Sequence, residues 1–150
     1  MSPRSIVIVA FPGVQPLDVV GPHEVFAGAN AAHEGGRRSH GLDTADRRPY
    51  RIGVVSADGA NVVTESGLQL GTSPLPVDED PIDTLVLPGG TGVTTARFDG
   101  PLISWVRSAA SRSRRIATVC SGAFLAAQAG LLDGRTVTTH WARAAQLATE

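Results

Sequence analysis

The chain holds one cysteine and one methionine, with one tyrosine and two tryptophans, in 150 residues. The lone Cys120 rules out an intrachain disulfide and a cysteine-rich zinc cluster, which leaves a packed small hydrophobe or a reactive thiol. Neither sign of charge is in surplus. Thirteen Lys and Arg against fourteen Asp and Glu give a formal net charge of −1, so the basic excess that neutralises phosphates is missing and nucleic-acid binding by these residues is not expected. No apolar run approaches the ~20 residues of a membrane span, and Met1-Ser2-Pro3-Arg4 leads straight into a strand pattern rather than a signal-peptide core. A cytoplasmic location without membrane contact is therefore expected. The four histidines include His33 and His40 in a polar stretch, and none has metal-ligand spacing, so neither a metal nor a cofactor is expected. What remains is 42% hydrophobic and 18% charged, the balance of one globular domain.

The apolar segments are short, β-branched and bounded by glycine and proline. Ser5–Ala10, Tyr50–Ser56, Thr84–Leu87 and Arg115–Cys120 read as strands, the first and third buried on both faces as in a parallel sheet. Asp58-Gly59 turns the chain into two alternating segments, Val62–Glu65 and Leu68–Gly71, that suit a small hairpin. Pro22 suits the first turn of a helix through Val25, Phe26 and Ala29. The stretch from His33 to Arg48 reads as a surface loop, and Pro74, Pro76 and Pro81 mark a connection. A helix from Pro101 carries Leu102, Ile103, Val106 and Ala109 at helical spacing. Ser121–Ala129 forms a small-residue helix capped at Gly130, Thr136–Thr138 a short strand, and the chain closes in an alanine-rich helix. The arginines at 112, 114 and 115 read as a solvated helix end. This alternation predicts a doubly wound α/β sheet with a mostly parallel centre, whose ligands bind at the carboxyl ends of the strands.

Chemistry-bearing residues fall at those ends. Cys120 lies where a strand stops and a helix begins, followed by the small residues Ser121-Gly122-Ala123 that allow a sharp turn. A thiol there would feel the positive end of the helix, which favours thiolate; the alternative is a buried strand-end cysteine. The first N–H groups of that helix, near Ser121, and the bare backbone of Gly89-Gly90 after the neighbouring strand can face an anion. Asp18, among apolar neighbours, must be exposed, paired or functional; it can exchange a proton with the thiol or cap a helix start. His23 and Glu24 read as helix-surface residues. His140 follows the Thr136–Thr138 strand and can complete a Cys/His pair or be structural. Trp141 reads as core or pocket wall.

Four segments together resemble the ThiJ/PfpI superfamily: Phe11–Phe26, Leu87–Gly92, Ala117–Ala126 and Ala129–Trp141. Within it the run Leu17-Asp-Val-Val-Gly-Pro-His-Glu-Val-Phe26 and Thr138-Thr-His-Trp141 are most similar to two branches, the GlxA-like AraC-type transcriptional regulators and the isocyanide hydratases. The resemblance implies a flavodoxin-like three-layer sandwich of the class I glutamine amidotransferase type, usually dimeric, with Cys120 as nucleophile and Gly90 and Ser121 N–H groups as the anion site. Asp18 matches the acid that the hydratases place beside their cysteine, whereas Ser121 departs from their Cys-Thr pattern. It also implies one domain over residues 1–150 without the further strand and glycine-rich helix such domains usually carry. The regulators' DNA-binding helix-turn-helix pair would lie outside these residues. Two functions are open: a small-molecule-sensing, homodimerising regulator domain, or a stand-alone cysteine-dependent hydratase.

Overall fold

Strand β1, Arg4–Val9, lies at the middle of the sheet with β2, Tyr50–Ser56, on one side and β6, Ile82–Leu87, on the other. Ile6 pairs in register with Ile52 and with Thr84, and both ladders are parallel. The sheet is completed by β5, Ser73–Pro74, beside β2, and by β7, Ser113–Thr118, beside β6, giving the order β5-β2-β1-β6-β7. The computed structural model describes residues 2–39, 48–77 and 80–149. Ile6, Ile8 and Val9 are fully buried, as a strand covered on both faces requires. A separate antiparallel hairpin joins β3, Val62–Val63, to β4, Gln69–Leu70, where the alternating pattern places it.

Helix α3, Gly100–Ser111, begins on Asp99, whose side chain accepts from the Leu102 N–H at 3.0 Å. Its buried stripe is Leu102, Ile103, Val106 and Ala109, the spacing anticipated from sequence. The stripe packs into one core with Leu85 and Leu87 of β6 and with Phe124 and Leu125 of α4, Ala123–Gln128. Each such side chain contributes about 1.5–3 kcal/mol relative to exposure. Two one-turn helices, α2 at Val93–Ala96 and α5 at Ala144–Leu147, complete the described elements together with 3-10 turns at Cys120–Gly122 and Trp141–Arg143.

Helix α1 spans Pro16–Ser39 and differs from expectation at both ends. Pro16, not Pro22, occupies the first turn, where a missing N–H costs nothing. Pro22 lies inside the helix, and residues 33–39 are helical although their composition reads as loop; residues 40–47 of that expected loop lie outside the described residues. Tertiary contacts supply what propensity does not. Asn30, 8% exposed, donates to the Tyr50 carbonyl and accepts from the Tyr50 N–H, both at 3.0 Å, while the Phe26 and Tyr50 rings meet edge to face. Glu34, on the following turn, pairs with Arg48 at 3.0 Å.

Three further expectations are corrected. The segment Thr136–Thr138 is exposed and unpaired, because β7, the edge strand, has no ladder partner there among the described residues. The proline-rich connection holds the short edge strand β5. The arginines at 112, 114 and 115 stay solvent-accessible as expected, but only Arg112 ends a helix: it caps α3 and donates to the Asp80 and Pro76 carbonyls, while Arg115, on strand β7, donates to Thr84 Oγ1. Arg114, also on β7, forks onto Asp83 and lowers that carboxyl to about 2.

The α1 clamp generates a paired prediction. Asn30→Ala strands the buried Tyr50 backbone groups and is expected to cost about 1–3 kcal/mol in urea unfolding. Two residues earlier, Gly28→Ala places a methyl where no atom lies within 4 Å and is expected to gain about 1 kcal/mol. Equal and small effects at both positions would contradict the continuous helix.

Candidate functional site

The carboxyl ends of β1, β6 and β7 converge at the point where the chain, having built the sheet outward from β1 to β2 and β5, crosses to the other side. Open α/β sheets form their crevice at such a switch. Cys120 follows β7 with φ +54°, the one non-glycine residue with positive φ among those described. Such a backbone costs on the order of 1–3 kcal/mol and persists only where its surroundings hold it. They do: a Cβ on Gly89 would stand 2.5 Å from the Ser121 N, and one on Gly122 would strike the Leu87 and Pro88 carbonyls. The ends of β6 and β7 therefore touch backbone to backbone, and the chain reverses at Cys120 into a 3-10 turn and then α4. The helix following the turn has six residues, shorter than the Ser121–Ala129 expected, so its dipole is correspondingly smaller.

Asp18 comes from the first turn of α1 and is 9% exposed. Its Oδ2 accepts from the Gly89 N–H at 3.0 Å, and the Cys120 side chain lies close enough to act on its carboxyl. Burial pushes the Asp18 carboxyl above its ordinary value, and the negative charge of Glu65 adds to this; the Gly89 hydrogen bond, the Cys120 side chain and the nearby His140 oppose it.

The glycine backbone is less open than expected. The Gly89 N–H is spent on Asp18, and the Gly90 N–H donates to Ser121 Oγ at 3.1 Å. His140 does reach the site. Its N–H and the Thr139 hydroxyl both donate to the Cys120 carbonyl, at 3.2 and 2.9 Å. His140 Nδ1 accepts from the Ala142 N–H at 3.3 Å, so a neutral ring carries its proton on Nε2. That tautomer is a donor toward a ligand, not a base toward the thiol. Trp141, expected in the core or a pocket wall, is 84% exposed and lies against His140. His23 and Glu24 hydrogen-bond to each other on the helix surface.

Cys120, Gly90, Ser121 and His140 line one cavity of about 210 Å³, with Asp18 and Gly89 joined to its wall by the bonds above. Four lining residues escaped the sequence: Gln15, Glu65, Thr91 and Arg143. A larger cavity of about 900 Å³ follows the open edge of β7 past Arg107, Arg115 and Leu132, away from Cys120.

Comparison with known proteins follows the same outline. The DJ-1/PfpI family model matches residues 4–150. An uncharacterized protein in the cpoL 5' region of Streptomyces lividans is 37% identical over 97% of this chain and 94% of that protein. Isonitrile hydratase of Pseudomonas putida is 32% identical over 88% of this chain and 50% of its own length. An HTH-type transcriptional regulator of Mycobacterium tuberculosis is 60% identical over 38% of this chain and 22% of the regulator, and the GlxA regulator of Rhizobium meliloti is also similar, at 32% over 69% and 32%. Among solved structures, a ThiJ/PfpI family protein from Pseudomonas syringae superposes with a TM-score of 0.76 at 25% identity, over 94% of this chain and 52% of that one. The chain thus spans half or less of the hydratase and of the regulators.

The buried carboxyl makes a signed prediction. A folded-state value above the unfolded one means that Asp18 stabilises the fold while protonated, fully below the unfolded value, and that this contribution is lost as pH rises through the folded value. Asp18→Asn keeps a neutral acceptor for the Gly89 N–H at every pH. Urea midpoints should therefore shift in favour of the variant, relative to the unsubstituted protein, as pH rises above the ordinary carboxylate value of about 4. A pH-independent difference would show that Asp18 is not held in a desolvated setting.

Proposed function

The chain belongs to the DJ-1/PfpI family, and from that premise we propose that it is the ligand-sensing, dimerising N-terminal domain of an AraC-type transcriptional regulator, taking a small cytoplasmic metabolite at the Cys120 cavity. One observation favours sensing over turnover. Of the N–H groups expected to face an anion, those of Gly89 and Gly90 are already satisfied by Asp18 and Ser121, which leaves that of Ser121 to act alone. An oxyanion hole requires donors aimed at developing charge; donors engaged within the protein suit a site that binds. A volume of about 210 Å³ amounts to roughly seven waters at ~30 Å³ each, and Glu65, His140 and Arg143 place polar groups around it, so the ligand is small and carries polar groups. DNA contact falls to a separate helix-turn-helix segment outside these 150 residues, in keeping with the net charge of −1. Among the described residues no helix is long and apolar enough to cross a membrane.

A second reading rests on the Asp18 carboxyl lying beside the Cys120 side chain. In a hydratase of the isonitrile type, Sγ would bond to the terminal carbon of R–N≡C while Asp18 delivers a proton to that carbon. Water would then add to the thioimidate, and cleavage of the C–S bond would return the thiol and release the N-formamide. Ser121 Oγ would have to rotate off the Gly90 N–H before that donor could serve.

A thermal-shift screen of small polar metabolites, run beside an isocyanide hydration assay, separates the two. Sensing predicts a ligand that at 100 Kd adds about 2.7 kcal/mol, a Tm rise of roughly 5–10 °C. Cys120→Ser should keep the fold, Asp18→Ala should weaken the shift, and no formamide should form. Formamide production abolished by Cys120→Ala would transfer the assignment to the hydratase. Neither response would leave a domain that only dimerises, and both readings would fall.

A further inference from the structure

Glu65, an exposed acid in the turn of the β3–β4 hairpin, enters the readings above only as part of the cavity lining. Its carboxylate nevertheless joins the two walls of the Cys120 cavity. Oε1 accepts from Gln15 Nε2 at 2.6 Å, on the segment that opens α1, and Oε2 accepts from the Thr91 N–H at 2.8 Å, on the loop that leaves β6. Its own N–H donates to the Val14 carbonyl at 3.0 Å. Both carboxylate bonds are short, as charge-assisted bonds are. They act on segments already interlocked, since Gln15 N–H donates to the Gly89 carbonyl and Gly92 N–H to the Gly13 carbonyl, each at 2.9 Å. The hairpin would keep its backbone bond from Gly13 to Val63 without Glu65, but the Thr91 N–H would lose its acceptor.

The same carboxylate brings charge. The groups that face Asp18 are Glu65 from the hairpin, His140 from the chain after α4, the Cys120 side chain and the Gly89 N–H. Glu65 alone among them carries a charge of the same sign as ionised Asp18.

We infer that Glu65 is a positioning residue of the Cys120 cavity: it clasps the β3–β4 hairpin to Gln15 and Thr91 and holds a negative charge on the side of Asp18. The inference rests on Asp18 being the acid of the site but not on what the cavity binds.

The test uses Glu65→Gln and Glu65→Ala in the full chain, with the Asp18 side-chain carboxyl carbon followed by NMR through a pH titration and assigned by its loss in Asp18→Asn. Glu65→Gln keeps an acceptor for the Thr91 N–H and removes the charge, so Tm should hold while the Asp18 midpoint moves down. Glu65→Ala should show the same downward movement and, in addition, roughly tenfold faster hydrogen exchange at the Thr91 amide. An unchanged midpoint in Glu65→Gln would overturn the electrostatic role, and unchanged Thr91 exchange in Glu65→Ala would overturn the clasp. Neither readout needs a ligand or turnover, so a failed metabolite screen would leave this inference standing, and its failure would leave the screen meaningful.

Discussion

Everything at the site depends on the ends of β6 and β7 meeting backbone to backbone. Gly89 and Gly122 remove the two side chains that would hold them apart, and the reversal this forces lands on Cys120 at φ +54°. A strained backbone at a non-glycine residue is a cost that the rest of the fold must cover. It is covered by the ladder from β1 through β6 to β7 and by the buried cluster of Leu87, Phe124 and Leu125 directly beneath. The strain has a geometric consequence. It turns the Cys120 carbonyl toward the Thr139 hydroxyl and the His140 N–H, and so draws the following segment over the cavity.

The parts of this arrangement that were legible in the sequence share a cause. Continuous β-branched runs fix parallel strands, parallel strands fix where their carboxyl ends lie, and Cys120, Gly89 and Gly90 are each within three residues of such an end. Asp18 was legible for a different reason, as a carboxyl set among apolar neighbours. The resemblance carried by four short segments widened this to the family, which the match over residues 4–150 shows.

What was not legible depends on distant partners. Glu65 meets Gln15 across 50 residues and Thr91 across 26, and a polar residue in a turn carries no periodicity to announce such bonds. The ends of α1 were missed because Pro22 reads as a helix start and Gly35-Gly36 as loop, whereas the Asn30–Tyr50 clamp and the Glu34–Arg48 pair hold a longer helix in place. Thr136–Thr138 failed in the other direction. Its β propensity is real but needs a neighbouring strand, and the described chain offers none there.

The two functional readings differ physically in one degree of freedom, the side chain of Ser121. With Oγ on the Gly90 N–H, the glycine loop is a closed, self-satisfied wall. With Oγ rotated away, that N–H would be free to meet a ligand in the cavity, and the hydratase reading would have Asp18 supply a proton. Rotation leaves a donor unpaired unless an anionic or carbonyl oxygen replaces the hydroxyl, and an unpaired buried donor costs about 1–3 kcal/mol. A ligand carrying such an oxygen would therefore be selected by the same bond that closes the site without it. Recognition and oxyanion binding use one donor here, and a sensor and an enzyme built on this backbone would differ in whether the thiol acts after that donor has been captured.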